Sequence, residues 1–385
     1  MNTFRSLEER LYEDRGKNIK AGLIEEVKKE IEIAEKEYHE ILQKLKEKNY
    51  LTRDSVIKTP LSKFFKSFFP SILIELEGKD IYVLINSYKW SWSDTSFEGI
   101  AVSRNIMAYE CKRSLEQELY KEILRCFKKH EDIGKKDLII LNIYSNDPSI
   151  IKKSFSEYIE RLSAIWCHER LGHIELDRKL NVEKWESRMR YILDLLYEKA
   201  ISHAERMMAA YIKHFSGEKV NGKEIEEAIK SRIILKEYEE KTIKIREYFD
   251  ELSFYGEVYS HLTEFCYFFY KTYEGKFQVG KLLEYLQDER KLLEVLQQNL
   301  NELDKEIKIV RSTYYALKYL QESKIGKTIY EFLKNPDKFT NKDLENVTNS
   351  IVTERKRIEE ELKDWLENEL YKELVKIEKE LKEME

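Results

Sequence analysis

The sequence predicts an α+β chain that is predominantly helical, with a small mixed β-sheet embedded among long helices that carry coiled-coil seams. Three observations carry this. Gly (12) and Pro (4) are scarce among the 385 residues, and 37% of residues are charged, which favours long helices over sheet. Two stretches, 17–48 and 286–317, repeat apolar residues at heptad spacing. Between roughly residues 70 and 145 the period changes to β-rich runs separated by turns.

The first element is a long helix over 17–48. Ile24, Val27, Ile31, Ala34, Tyr38, Ile41 and Leu45 alternate at spacings of three and four, and Asn49 ends it. A connector with Pro60 and Pro70 follows. It contains the basic, aromatic run Lys63-Phe64-Phe65-Lys66-Ser67-Phe68-Phe69, expected to bury its phenylalanines in a short amphipathic helix. Ile72–Leu76 and Ile81–Ile85 read as strands joined by the turn Glu77-Gly78-Lys79-Asp80. Phe97–Val102 and Ile106–Cys111 read as a second pair, followed by a helix over Ser114–Lys129 and a strand over Leu138–Tyr144. Asn146-Asp147-Pro148-Ser149 suits a helix start.

Beyond that point only helices are expected. Breaks are predicted near Gly172, Gly217–Gly222, Gly256, Gly275–Gly280, Gly326 and Asn335-Pro336. Over 286–317, one seam position holds Leu286, Leu293, Leu300, Ile307 and Tyr314. The other holds Leu296, Leu303, Val310 and Leu317, with Glu289 as its one exception. The domain reading is a coiled-coil-type N-terminal helix (1–60), a small α/β domain (61–150) and a helical domain (151–385). The last contains a coiled-coil hairpin around 281–322 and a C-terminal helix over 350–385. Each seam must be buried against something, so self-association or a protein partner is expected. The aromatics of 248–277 mix with Leu and Val, which suits a helical core.

Net charge is −5, so nucleic acid would need a local basic face. Cys111, Cys126, Cys167 and Cys266 form neither a CxxC pair nor a secreted-type framework. Met1–Phe4 leads directly into charged sequence, and no run of about 18 apolar residues occurs, so a cytoplasmic protein without a membrane span is expected. The Lys/Glu-rich, Gly-poor profile suits a thermophile. GxxxxGK[ST], GxGxxG and GxSxG are absent, which argues against P-loop ATPases, dinucleotide enzymes and α/β-hydrolases.

The most chemical-looking constellation lies in the α/β segment. Glu110 and Lys112 sit two apart on a predicted strand, so their side chains share a face, and Glu98 on the neighbouring strand can reach it. Converging carboxylates suit Mg²⁺, which would polarise a phosphate and acidify water, and an ammonium beside them suits charge stabilisation. Arg113, Lys121, Arg125, Lys128 and Lys129 offer a phosphate-attracting surface. On Glu110-Cys111-Lys112, the acid one strand earlier and the following helix and strand, the segment resembles the PD-(D/E)xK nuclease superfamily. That resemblance implies a metal-dependent nuclease acting on DNA or RNA. Glu110 would be a metal ligand, Lys112 the catalytic lysine, and Glu98 or Asp94 the first acid. The chain departs from the family in lacking a Pro-Asp pair. The alternative is a non-enzymatic helical scaffold or interaction protein, of the kind carried by mobile elements or defence loci.

Two further signals lie on the next helix. Arg161 and His168, with six residues between them in a predicted helix, are similar to the motif of HEPN-type ribonucleases, although Leu162 stands where a polar residue is usual. Cys167, His168 and His173 contain neither a CxxC nor the HxxxH spacing that puts two imidazoles on one α-helical face. No fourth ligand lies nearby in sequence, so a structural helical histidine is expected.

Overall fold

The computed structural model describes residues 23–47, 72–89, 96–102, 135–145, 159–302, 308–335 and 339–383. The chain forms two compact units. One is built from Lys184–Ser253 with Glu360–Glu385. The other combines the described parts of Asp14–Glu183 with Phe254–Glu359. Among the described residues no helix is long and apolar enough to cross a membrane.

The second unit contains the sheet. Helix α1 (Leu23–Glu47) precedes β1 (Ile72–Leu76), β2 (Ile81–Lys89), β3 (Ser96–Val102) and β4 (Asp137–Ser145). Strand order is β1-β2-β4-β3. β1 and β2 form an antiparallel hairpin whose turn uses Gly78 at φ 68° and Asp80 at φ 56°, the left-handed region where a Cβ is costly for most residues. β2 runs parallel to β4, with Ile85 opposite Leu141, and β3 runs antiparallel to β4, with Gly99 opposite Leu141. Ile81–Ile85 and Leu138–Leu141 are continuously buried, as expected for central strands covered on both faces.

Helix α1 covers this sheet with its seam. Val27, Ile31, Ala34, Tyr38 and Ile41 are all buried inside the chain. Helix α2 (Ile159–Cys167), a π-helical turn (His168–Ile174) and α3 (Glu175–Leu180) form one continuous rod that touches α1, β3 and β4. Arg178 in α3 clamps the rod to the sheet. Its guanidinium donates to the Asp137 carboxylate at 2.7 and 3.0 Å and to the Lys79 carbonyl at 3.2 Å. Asn181, at φ 49°, ends the rod in a left-handed cap.

Helix α4 (Val182–Phe215) and the 52-residue α5 (Gly222–Tyr273) follow, then α6 (Val279–Glu302), α7 (Lys308–Glu322), α8 (Lys324–Lys334) and α9 (Asn341–Asp364). A second π-turn, Trp365–Leu370, leads into α10 (Tyr371–Glu383). The predicted breaks at Gly217–Gly222, Gly275–Gly280 and Asn335 are present, but those at Gly172 and Gly256 are not. Gly172 lies inside the π-turn and Gly256 inside α5. At Gly172 the reason is proximity, since an added Cβ would lie 2.7 Å from Ser260 Cα of α5. The aromatic run of α5 is core: Phe254, Tyr255, Tyr259, Phe265, Tyr267, Phe268, Phe269 and Tyr270 are buried. The 286–317 stretch is two helices, α6 and α7, in contact with each other, and Leu286, Leu293 and Leu317 are buried within the chain.

Candidate metal centre

The π-turn changes which side chains share a face. In an α-helix, residues five apart point about 140° away from each other, given 3.6 residues per turn. A π-turn closes i→i+5 hydrogen bonds, so the same pair is stacked one turn apart, and such turns recur at functional sites. His168 and His173 are that pair, with ring centroids 5.2 Å apart. The spacing that would put the two imidazoles on different faces of an α-helix therefore brings them together in the helix that forms.

Helix α5 supplies the opposing face. Glu257, His261 and Glu264 follow one another at i, i+4 and i+7, one helical stripe. Gly172 lets this stripe approach the π-turn closely. The Glu257 carboxylate is the focus. His173 Nε2 lies 3.7 Å from one oxygen, and His168 Nε2 and His261 Nε2 lie 4.0 and 3.9 Å from the other. His168, Glu257 and His261 each offer a ligand atom within 4.8 Å of the others. The Thr313 hydroxyl of α7 also donates to Glu257.

Behind this set stands a second row of groups. Glu264 accepts from His168 Nδ1 at 3.2 Å and from Arg161 at 3.3 Å. Arg161 also lies 3.5 Å from Glu289 of α6, whose other oxygen is 3.5 Å from His261 Nδ1. Arg161 and His168 are thus brought together on one carboxylate. Glu289, the exception in the α6 seam, is buried here.

Glu169 sits one residue from His168, pressed against β3. An added Cβ at Gly99 would lie 2.5 Å from its Oε1, so only glycine leaves room for this carboxylate without displacement. The Ala101 backbone N–H donates to it. Among the described residues β3 is an edge strand of the sheet.

The electrostatics follow from four carboxylates sharing a buried volume with the Arg161 guanidinium and three imidazoles. Burial pushes the Glu169 carboxyl up to about 7, with Glu257 and Glu264 adding to the push and His168 and Ala101 opposing it. Burial also raises Glu257. For His168 burial acts downward, but its hydrogen bond to Glu264 and the surrounding carboxylates carry it up to about 9. His173 and His261 go the other way. Burial and the neighbouring imidazoles hold both below the usual range, His261 at about 3. The surroundings thus favour neutral imidazoles at His173 and His261, the form that ligates metals, and the imidazolium at His168, which a metal ion would have to deprotonate.

Of the residues singled out for phosphodiester chemistry, Glu98 lies on β3 opposite Asn142 of β4. Asp94, Glu110, Lys112, Arg113, Lys121, Arg125, Lys128 and Lys129 lie outside the described residues, as do Ile106–Cys111 and Lys63–Phe69. Of the four cysteines, Cys167 and Cys266 are described as buried free thiols.

A scan against protein-family models finds no match, and searches of curated proteins and of solved structures find no similar protein.

Proposed function

We propose that this chain is a metal-dependent hydrolase of peptide bonds, with His168, Glu257 and His261 as ligands of a zinc-type divalent ion and Glu169 as general base. The observation that carries the reading is the triad of His168, Glu257 and His261, whose ligand atoms lie within 4.8 Å of one another, with the π-turn placing Glu169 and His173 beside it. In metallopeptidases with HExxH on an α-helix, two histidines one turn apart bind zinc, and the intervening glutamate is the base. Here His168-Glu169-Arg170-Leu171-Gly172-His173 has one extra residue, and the π-turn absorbs it. Two imidazoles and a carboxylate form a recurrent catalytic zinc set that leaves a fourth position for water.

The spacing supports a metal. Ligands at about 2.05 Å on a tetrahedral ion are ~3.3 Å apart. The 3.9–4.0 Å gaps from one Glu257 oxygen to His261 and His168 narrow to that with shifts of under an ångström. The Glu264 carboxylate on His168 Nδ1 is the outer-shell partner that orients a ligating imidazole and fixes its tautomer, and Arg161 in turn holds Glu264. Imidazole-rich sites suit zinc and its neighbours better than Mg²⁺.

A divalent ion held there would polarise a carbonyl and lower the pKa of a water molecule. Glu169, near neutrality, accepts the proton of the attacking water and returns it to the leaving nitrogen. Among the described residues β3 is the edge strand beside Glu169, and an extended chain pairing there would make polypeptide the substrate class.

The test compares metal content and cleavage in parallel. Purified protein is dialysed against zinc, assayed for bound metal, and incubated with unfolded polypeptide and with linear and single-stranded nucleic acid. The reading expects about one zinc per chain, polypeptide cleavage, and loss of both in His168→Ala and Glu257→Gln. Nucleic-acid cleavage that Glu110→Gln abolishes and His168→Ala leaves intact would replace it with the phosphodiester reading of residues 71–145.

A further inference from the structure

We infer that the outer end of the α4–α5 hairpin is a self-association surface, on which a second copy of this chain packs with its α5 against α4. The inference is independent of the metal centre and lies within the unit built from Lys184–Ser253 and Glu360–Glu385.

The two helices close on each other through polar and aromatic groups. His203 Nδ1 of α4 lies 3.3 Å from Ser231 Oγ of α5, and the His203 ring meets Tyr238 edge-on. The turn between the helices is firmly built. Asn221 and Glu224 form a reciprocal cap at the start of α5, each side chain accepting the other's backbone N–H, and Lys213 pairs with Glu224. The third helix of the unit stops short of this turn. The Leu381 carbonyl of α10 accepts from Lys199, Glu380 pairs with Lys241, and α10 ends at Glu383.

Large apolar residues of this hairpin face solvent instead. On α4, Glu198, Ile201, Glu205, Met208, Ile212 and Phe215 follow one another at spacings of three and four, and all are exposed. On α5, Ile225, Ile229, Arg232 and Lys236 do the same. A helix carries such a stripe where another element covers it. The six apolar members are 44–83% exposed, Phe215 the most. At roughly 80 Å² each, about half of a large side chain, they offer on the order of 500 Å². A standard dimer interface takes about 800 Å² from each partner, about 60% of it apolar. The apolar area on offer is what one such interface needs.

Charge selects the occupant. The α4 stripe is interrupted by acids and the α5 stripe by bases. Neither Glu205 nor Arg232 has an ion-pair partner among the described residues. Two copies related by a two-fold axis, each α4 on the other's α5, set Glu198 and Glu205 against bases twice over. Packing α4 on α4 would set acid against acid. The α1 seam, expected from sequence to draw a partner, is buried inside the chain, and the hairpin stripe takes that role.

Sedimentation velocity of the full chain over a range of concentrations tests this. Wild type should pass from monomer to dimer as concentration rises. Ile212→Glu and Phe215→Glu should each raise the dimer dissociation constant at least ~30-fold, the size of a hot-spot loss. Far-UV circular dichroism should stay unchanged, because both residues are exposed in the single chain. Glu205→Arg should weaken the dimer about tenfold or more, and adding Arg232→Glu should restore it. Lys230→Glu, off the stripe and paired with Glu226, should leave the dimer unchanged. A wild type that stays monomeric at every concentration overturns the inference. So does a dimer that survives both apolar replacements, or one that Lys230→Glu weakens equally. A double reversal no tighter than Glu205→Arg overturns the packing of α4 on the partner's α5.

Discussion

Two faces of one seven-residue π-turn treat buried charge in opposite ways. On one face Arg170 donates to Glu37 at 3.1 and 3.4 Å and to Glu175 at 3.1 Å, tying the turn to α1 and α3. On the other face His168 and His173, with His261 of α5, meet Glu257 across gaps of 3.7–4.0 Å, and His261 has no hydrogen-bond partner at all. The first face is a structural ion pair with its partners at hydrogen-bond distance. The second is poised around a point that none of its own groups fills. Buried polar groups in native proteins are nearly always satisfied, so the orphaned nitrogens of His261 and the Glu289 oxygen beside them mark where an additional species belongs.

The largest expected effect breaks the satisfied face. Arg170→Met leaves Glu37, 2% exposed, as a buried charge whose remaining ion-pair partner among the described residues is Lys79 at 3.8 Å. Stability in chemical denaturation should fall by about 3–5 kcal/mol. Glu169→Gln on the other face should change stability far less, because nothing structural depends on its charge. Equal losses would erase the distinction between the two faces.

Gly172→Ala comes next. Its Cβ would press on the Ser260 backbone, which cannot move aside as a flexible side chain can. A loss of about 1–3 kcal/mol is expected, together with weaker zinc retention, because the two ligand-bearing helices are driven apart. Unaltered zinc affinity in this variant would show that their close approach does not shape the centre.

Gly99→Ala sharpens the comparison differently. The added methyl meets Glu169 Oε1 and Cγ and Ile165 Cγ2, side-chain atoms that can shift. Stability should change by less than about 1.5 kcal/mol. Peptide cleavage should fall at least ~100-fold, the lower end of what a displaced general base costs. Comparable losses in both measurements would make Gly99 a packing residue only.

These variants also show what the sequence could and could not reveal. The α1 seam, the strands at 72–76, 81–85 and 97–102, and the aromatic core of α5 were legible because each follows a simple period. The candidate centre was not. His168 and His173 fail the α-helical face test, and a π-turn leaves no composition signal, so the pair read as ordinary helical histidines. Glu257 and His261 lie about 90 residues further on, and only the fold brings them near. Two clues were present without a frame. The seam of 286–317 was interrupted by Glu289, and Arg161 with His168 was noticed as a pair. Both belong to the outer ring of the cluster. Gly172 and Gly256 were read as helix breaks because a glycine's role in close helix packing cannot be told from its role as a terminator in sequence alone.

The smallest effect concerns an ion pair away from the turn. Arg355 of α9 donates to Glu30 of α1 at 2.7 Å, with Lys179 at 3.2 Å. Burial pushes the Glu30 carboxyl up, but the two cations outweigh it and hold it below its ordinary value of 4.5. A carboxyl depressed in the folded state stabilises the fold above its unfolded pKa. That contribution is lost as pH falls through the folded value. Glu30→Gln should therefore lower the thermal midpoint modestly at pH 7 and flatten its decline below pH ~4.5. A decline in acid as steep as wild type would assign it to other groups.

The most direct test of the central claim is Glu169→Gln assayed for zinc and for peptide cleavage in the same preparation. A base beside a metal centre predicts that the variant keeps about one zinc per chain and loses cleavage of unfolded polypeptide by at least ~100-fold. A variant that keeps its zinc and cleaves as fast as wild type would contradict the account.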